Sequence, residues 1–264
     1  MAAAATRVTA HQGAVVAAVD GLTKRYGPDV TALAEVTFDV PAGEFVAVLG
    51  PSGAGKTTLF RCLTGLTSPD GGRVRIESSD IWRGAAELRA ARRATALVFQ
   101  QFNLIRRLTA LENVLVGRLA RVATWRVALR RFTRADRQLA LRCLDTVGLL
   151  EKAGVRADQL SGGQQQRVAI ARALAQDARL ILADEPVSSL DPESAATVLT
   201  SLRSAVAAGV AVVASLHQVH LAREYADRIV ALRAGRLVRD APVGRLDGRA
   251  LEQIYEPAAV RNSV

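Results

Sequence analysis

The stretch Gly50-Pro51-Ser52-Gly53-Ala54-Gly55-Lys56-Thr57 narrows the possible folds of this chain more than any other feature. It has the spacing G-x-x-x-x-G-K-[ST] and lies between an apolar run, Glu44-Phe45-Val46-Ala47-Val48-Leu49, and a helical pattern that continues through Thr58-Leu59-Phe60-Arg61-Cys62-Leu63. The implied unit is a buried strand, a tight loop and a helix. Glycines at 50, 53 and 55 let the backbone turn its N–H groups inward, and the helix start adds donors at the positive end of its dipole. A polyphosphate is the ligand this arrangement suits. Lys56 is expected to reach the β- and γ-phosphates, and the Thr57 hydroxyl to take a position on Mg²⁺.

A second constellation fits the first. Leu180-Ile181-Leu182-Ala183-Asp184-Glu185 is an apolar strand that ends in two carboxylates. Asp184, at the C-terminal edge of a sheet, is expected to hold Mg²⁺ opposite the phosphate loop. Glu185, at the strand exit, is expected to align a water for attack on the γ-phosphate. Together the two segments point to nucleoside triphosphate hydrolysis rather than passive binding.

The alternation of strand and helix patterns implies an α/β chain. Strands are expected at 32–40, 44–49, 73–77, 95–99, 180–183, 210–214, 229–232 and 236–238. Helices are expected at 56–66, 134–147, 163–176, 193–208 and 219–225. The later alternation predicts a parallel sheet with helices on its faces, and the early strands with short connections predict an antiparallel portion. The mostly helical gap between Phe99 and Leu180 reads as an inserted lobe. We expect an N-terminal extension over 1–19, a nucleotide-binding core from 20–100 and 177–242, a helical lobe over 101–176 and a C-terminal tail over 243–264.

Composition removes several function classes. With 264 residues, half of them hydrophobic, the chain can bury a substantial core. Cys62 and Cys143 are far apart and each sits in a helical pattern, so neither a disulfide framework nor a metal cluster is expected, and a reducing compartment is. The alanine-rich run from Met1 to Val19 lacks a basic start and a sustained apolar core, so no cleaved leader is expected. No segment approaches the roughly 18 apolar residues of a spanning helix. Net charge is +10. Part of it is local, in Arg118, Arg121, Arg126, Arg130, Arg131, Arg134 and Arg137, with Trp125 and Phe132 among them. Such a stretch suits anionic headgroups, nucleic acid or plain solvent, and charge alone does not choose.

Leu160-Ser161-Gly162-Gly163-Gln164-Gln165-Gln166-Arg167 resembles the signature loop of ATP-binding-cassette ATPases, and the resemblance extends over nearly the whole chain. It implies the P-loop NTPase core of that type, with an antiparallel β portion and the inserted helical lobe. Tyr26 resembles the residue that stacks on adenine, Gln100 the Q-loop glutamine, Ser189-Leu190-Asp191 the D-loop and His217 the switch histidine. By this likeness ATP is held by Tyr26 and by Gly50, Pro51, Ser52, Gly53, Ala54, Gly55, Lys56, Thr57 and Thr58. Mg²⁺ is held by Thr57, Gln100 and Asp184, and Glu185, His217 and Gln100 carry the hydrolytic step. Ser161, Gly162, Gly163 and Gln164 serve the nucleotide of a second subunit, which implies an ATP-dependent homodimer. Without that likeness, Ser161 reads as an ordinary helix N-cap; His217 and His220 have the i,i+3 spacing of a metal pair, but no cysteine or further histidine is near to complete a site, so metal ligation is not expected.

Finer wording resembles the phosphonate-importer branch: Phe99-Gln100-Gln101-Phe102-Asn103-Leu104, Leu111-Glu112-Asn113-Val114-Leu115, and Leu182 through Ala195. The likeness implies ATP hydrolysis coupled to phosphonate import, at the cytoplasmic face of a membrane, with two permease subunits or domains and a solute-binding protein as partners. Importers for phosphate or amino acids share most of these motifs. A nucleic-acid-associated cassette ATPase is the reading from another class, and no stable nucleic-acid partner is expected.

Overall fold

The computed structural model describes residues 13–99, 102–121, 132–246 and 254–255. In chain order its main elements are β1 (Val15–Tyr26), β2 (Val30–Pro41), β3 (Phe45–Leu49), α1 (Lys56–Leu63), β4 (Gly71–Ile76), β5 (Ser79–Asp80), α2 (Ala85–Ala94) and β6 (Thr95–Phe99). Then follow α3 (Ala110–Val116), α4 (Arg134–Thr146), α5 (Gly162–Ala175), β7 (Leu180–Asp184), α6 (Pro192–Ala207), β8 (Ala211–Ser215), α7 (Val219–Tyr225), β9 (Arg228–Arg233) and β10 (Arg236–Pro242).

Six strands form one sheet in the order β10-β9-β3-β8-β7-β6, parallel except for the β10 edge. Its inner strands β3, β7, β8 and β9 are buried on both faces, which is why they read as largely apolar runs. Phe45, Ala47 and Leu49 of β3 enter one core with the helices α3 to α7, whereas Val46 and Val48 enter another. That second core holds α1 and α2 and is closed by an antiparallel sheet of order β2-β1-β4-β5. The expected parallel and antiparallel portions are thus two separate sheets facing each other.

The sheets are tied by a buried arginine. Arg228, only 4% exposed at its side chain, donates to the Asp39 carbonyl of β2, to Glu44 at 3.0 Å and to Asp240 of β10 at 2.9 Å. Several acceptors around one guanidinium offset the cost of burying it.

α3, α4 and α5 pack on one another as the helical lobe. Three capping boxes set helix starts: Thr109 with Glu112, Thr133 with Asp136, and Ser161 with Gln164. At its far end α5 meets the basic stretch. Arg118 donates to the Ala175 carbonyl and pairs with Asp136 at 3.1 Å, and Arg121 donates to the carbonyls of Gln176 and Asp177. These two arginines satisfy the open carbonyls of a helix end. Trp125, Arg126, Arg130 and Arg131 lie outside the described residues.

Several expectations need correction. β1 begins at Val15, inside the segment set aside as an extension, and runs to Tyr26. Its register slips repeatedly against β2, so its apolar alternation is broken in the sequence. α2 was not expected because only Ala91 and Ala94 of its ten residues are buried, too few for an apolar stripe. The seven residues of α3 fall below the length at which helical periodicity is legible. α1 stops at Leu63 rather than Leu66, since Gly65 takes φ 70°.

Candidate functional site

The phosphate loop leaves β3 at the centre of the six-stranded sheet. Its course requires glycine at two points of close approach. A Cβ at Gly50 would lie 2.2 Å from the Leu232 carbonyl oxygen, and one at Gly55 2.4 Å from that of Ala32. Gly55 is the N-cap of α1 and brings no side-chain cap, and the first turn carries no acidic residue. The N–H groups of that turn are therefore left for an anion. Lys56 is buried, and its ammonium donates to the carbonyls of Gly50 at 2.7 Å and Pro51 at 3.2 Å. Burial lowers its pKa, while the charges of Glu185 and Asp184 act to raise it. The two carboxylates are thus close enough to the phosphate loop to act on its lysine, although more than a hundred residues separate them in sequence.

β7 and β8 are neighbours, and their ends assemble the rest. Ser215, the last residue of β8, donates to Asp184 Oδ1 at 2.8 Å and accepts from the Glu185 N–H at 2.8 Å. One hydroxyl therefore positions the side chain of the first carboxylate and the main chain of the second. Burial holds Asp184 above the ordinary carboxylate range; the Ser215 hydrogen bond pulls it down, the Glu185 charge pushes it up, and Lys56 and Arg61 pull it down. Glu185 adopts φ 50°, a left-handed conformation that side chains rarely take. Its Oε1 lies 2.5 Å from Nε2 of His217, just beyond β8. Ser215 was not singled out in the sequence. Its signal is slight: a hydroxyl closing the apolar run Val210-Ala211-Val212-Val213-Ala214, two residues before His217.

A hydroxyl at Thr57, a half-buried carboxylate at Asp184 and a cationic loop suit a hard divalent ion that shares its shell with phosphate oxygens. Phe99 ends β6 directly opposite Asp184 in the β6–β7 ladder. The next residue, Gln100, lies outside the described residues, as does Gln101.

The signature segment opens α5. Ser161 is exposed and caps α5, accepting from the Gln164 N–H at 3.3 Å, while Gln164 Oε1 accepts from the Ser161 N–H at 3.0 Å. The N-cap reading and the resemblance thus describe the same residue. Gly162 is partly open, but Gly163 is buried, and a Cβ there would meet Ser194 Oγ at 2.7 Å. Its lack of a side chain serves the contact of α5 with α6. A Cβ on Gly162 would be 3.5 Å from the Leu190 side chain, so the D-loop segment lies beside the signature segment of the same chain. Ser189 and Asp191 are exposed, and Asp191 caps α6 through the Ser194 N–H at 2.9 Å. Tyr26 ends β1, 43% exposed, with the Lys24 ammonium 5.6 Å from its ring centre. His220 is exposed on α7.

A family profile described as ABC transporter matches residues 33–188. The chain is similar to the hypophosphite import ATP-binding protein HtxD of Stutzerimonas stutzeri, with 51% identity over 238 residues that cover 89% of this chain and 70% of that protein. It is 47% identical over 239 residues to the phosphonates import ATP-binding protein PhnC 1 of Rhodopseudomonas palustris (strain HaA2), covering 90% of this chain and 85% of that one. Among solved structures it is similar to a dimeric ATP-binding cassette in a post-hydrolysis state bound to ADP and Pi. The TM-score is 0.73 and the identity 37%, covering 86% of this chain and 98% of the other.

Proposed function

The chain belongs to the ABC transporter family as an ATP-binding and ATP-hydrolysing subunit, and we propose that it powers the import of a phosphonate through a membrane permease. The observation that carries the hydrolytic part is the contact of Glu185 with His217 beside Asp184, within electrostatic reach of Lys56. The solute rests on the relatives, which serve phosphonate and hypophosphite import. Hypophosphite is the second reading, since that relative is 51% identical.

In this reading Lys56 and the N–H groups at the start of α1 bind the polyphosphate, and Tyr26 stacks on adenine. Thr57, Asp184 and Gln100 would hold Mg²⁺, which supplies charge neutralisation at the phosphate oxygens. Glu185 orients and polarises the attacking water, and His217 contacts the γ-phosphate. Ser215 holds Asp184 and Glu185 in place. Ser215→Ala is expected to push Asp184 further toward its protonated form, moving the acid limb of the pH–rate profile to higher pH. The half-saturating Mg²⁺ concentration should rise about fivefold, the worth of one hydrogen bond of ~1 kcal/mol. An unchanged profile and Mg²⁺ requirement would remove Ser215 from the site.

Exposed Ser161 with Gly162 and Gln164 serves the γ-phosphate of a second copy, with Ser189, Leu190 and Asp191 at the same interface. Two subunits then close on two ATP molecules, and loss of the bridging phosphate reopens them. Ser161→Arg places a bulky cation in that approach without touching the chain's own phosphate loop. In a Glu185→Gln background it should abolish ATP-dependent dimers in sedimentation while leaving ATP binding within about twofold. Dimers as abundant as in the single variant would end the proposed role in trans.

The part of the chain from β1 at Val15 to residue 100, with 177–242, is taken as the nucleotide-binding core, and 101–176 as the lobe whose rotation reaches the permease. None of the described helices is long and apolar enough to cross a membrane, and attachment at the cytoplasmic face would come through that partner. Phe102 and Leu108 are half-buried and Ile105 is 50% exposed near the lobe's entrance, whereas Leu104 packs on the core. The decisive experiment is co-purification with a neighbouring permease, then ATPase measurement in liposomes with the cognate binding protein. Stimulation by phosphonate supports the first solute and stimulation by hypophosphite the second. Failure of the permease to associate would overturn importer function.

A further inference from the structure

The β3–β8 ladder runs out just before the hydrolytic groups. Its last register pair is Val48 with Ser215, followed by a bond of 3.2 Å from the Leu216 N–H to the Val48 carbonyl. Beyond that β3 turns into the phosphate loop at Gly50, and the chain leaving β8 turns toward His217. The His217 carbonyl meets instead a side chain from far along the sequence, the Tyr255 hydroxyl at 3.3 Å. Neighbouring Ile254 is 2% exposed and sits in the same core cluster as Phe45, Ala47, Leu49 and Leu216, and the Tyr255 ring packs against that cluster. Burial pushes the Tyr255 phenol above its ordinary pKa, against a weaker opposing pull from the Gly50 backbone. The hydroxyl therefore keeps its proton near neutral pH and acts as a donor to His217. It is bonded to the main chain of the histidine whose ring is 2.5 Å from Glu185.

We propose that Tyr255 is a positioning residue for ATP hydrolysis, its hydroxyl holding the His217 main chain so that the imidazole stays between Glu185 and the γ-phosphate. The inference rests on the role given to His217 above. Packing of Ile254 and Tyr255 on the core requires only the ring. Orienting His217 requires the hydroxyl. Tyr255→Phe separates the two, since it keeps ring and volume and removes one donor.

Steady-state ATPase kinetics of Tyr255→Phe should show kcat reduced about fivefold to tenfold with KM for ATP and directly measured ATP affinity within about twofold of the parent protein. Retained ATP affinity also reports that the variant is folded. Parent-level kcat would overturn the proposal. So would an equal fall in kcat and ATP affinity, the signature of a disturbed phosphate loop rather than a displaced histidine. His217→Ala, measured in parallel, distinguishes the two failures. If His217→Ala keeps parent-level turnover, the role of His217 fails and this inference with it. If His217→Ala loses turnover while Tyr255→Phe does not, the role of His217 stands and only the proposal for Tyr255 falls.

Discussion

Glu185→Gln is expected to bind ATP as the parent protein does and to hydrolyse it at least about a hundredfold more slowly, the lower end of the range for loss of a positioned general base. The expectation depends on how Glu185 is held. Its main chain is fixed by the Ser215 hydroxyl and by a left-handed conformation at φ 50°, and neither depends on the carboxylate charge. The amide therefore stays in place, still within hydrogen-bonding reach of His217, but it no longer carries the negative charge that polarises water. Asp184 remains to support the Lys56 charge, so polyphosphate binding persists. Phosphate release under saturating Mg²⁺ and ATP measures the loss, and ATP-bound dimers should accumulate in sedimentation. Turnover at the parent rate would take Glu185 out of the mechanism.

Lys56→Ala should instead strike binding. The ammonium is a buried point charge at the mouth of a loop of backbone donors, and removing it deletes a charge-assisted contact worth about 2–3 kcal/mol, a weakening of ATP affinity of about 30- to 150-fold. A second cost falls on the protein itself. The carbonyls of Gly50 and Pro51 lose the donor they have at 2.7 and 3.2 Å, and thermal unfolding of the unliganded protein should register a loss of about 1–2 kcal/mol. Calorimetric titration with ATP, read beside the unfolding curve, separates the two effects. Unchanged affinity in a folded variant would remove the phosphate-loop assignment.

Much of this architecture is legible in the residues. The runs at 45–49, 95–99, 180–184 and 211–215 are continuous and apolar because each strand is buried on both faces. The start of α5 is written in Ser161 and Gln164, that of α6 in Asp191 and Pro192, because caps act within four residues. The phosphate loop is legible for the same reason, since its spacing and its chemistry belong to one short segment. Poorly legible elements are those whose order comes from elsewhere. α2 presents two buried alanines to the second core, and β1 slips in register between two partners.

The sequence alone determined the phosphate loop, the acidic strand end and the helix caps, because each rests on neighbours in the chain. Only the tertiary structure decided that Ser215 would grip Asp184 and Glu185, that His217 would meet Glu185, that Gly163 would be consumed by the contact with Ser194 and that Tyr255 would reach the His217 carbonyl. Each of these contacts spans 30 or more residues; those of Ser215 and His217 follow from strand order, with β8 seated beside β7, and the others from how α5 and the Ile254–Tyr255 pair pack on the same core. Which strand lies beside which is settled by packing both faces of the sheet at once, a condition on the whole chain that no local spacing expresses.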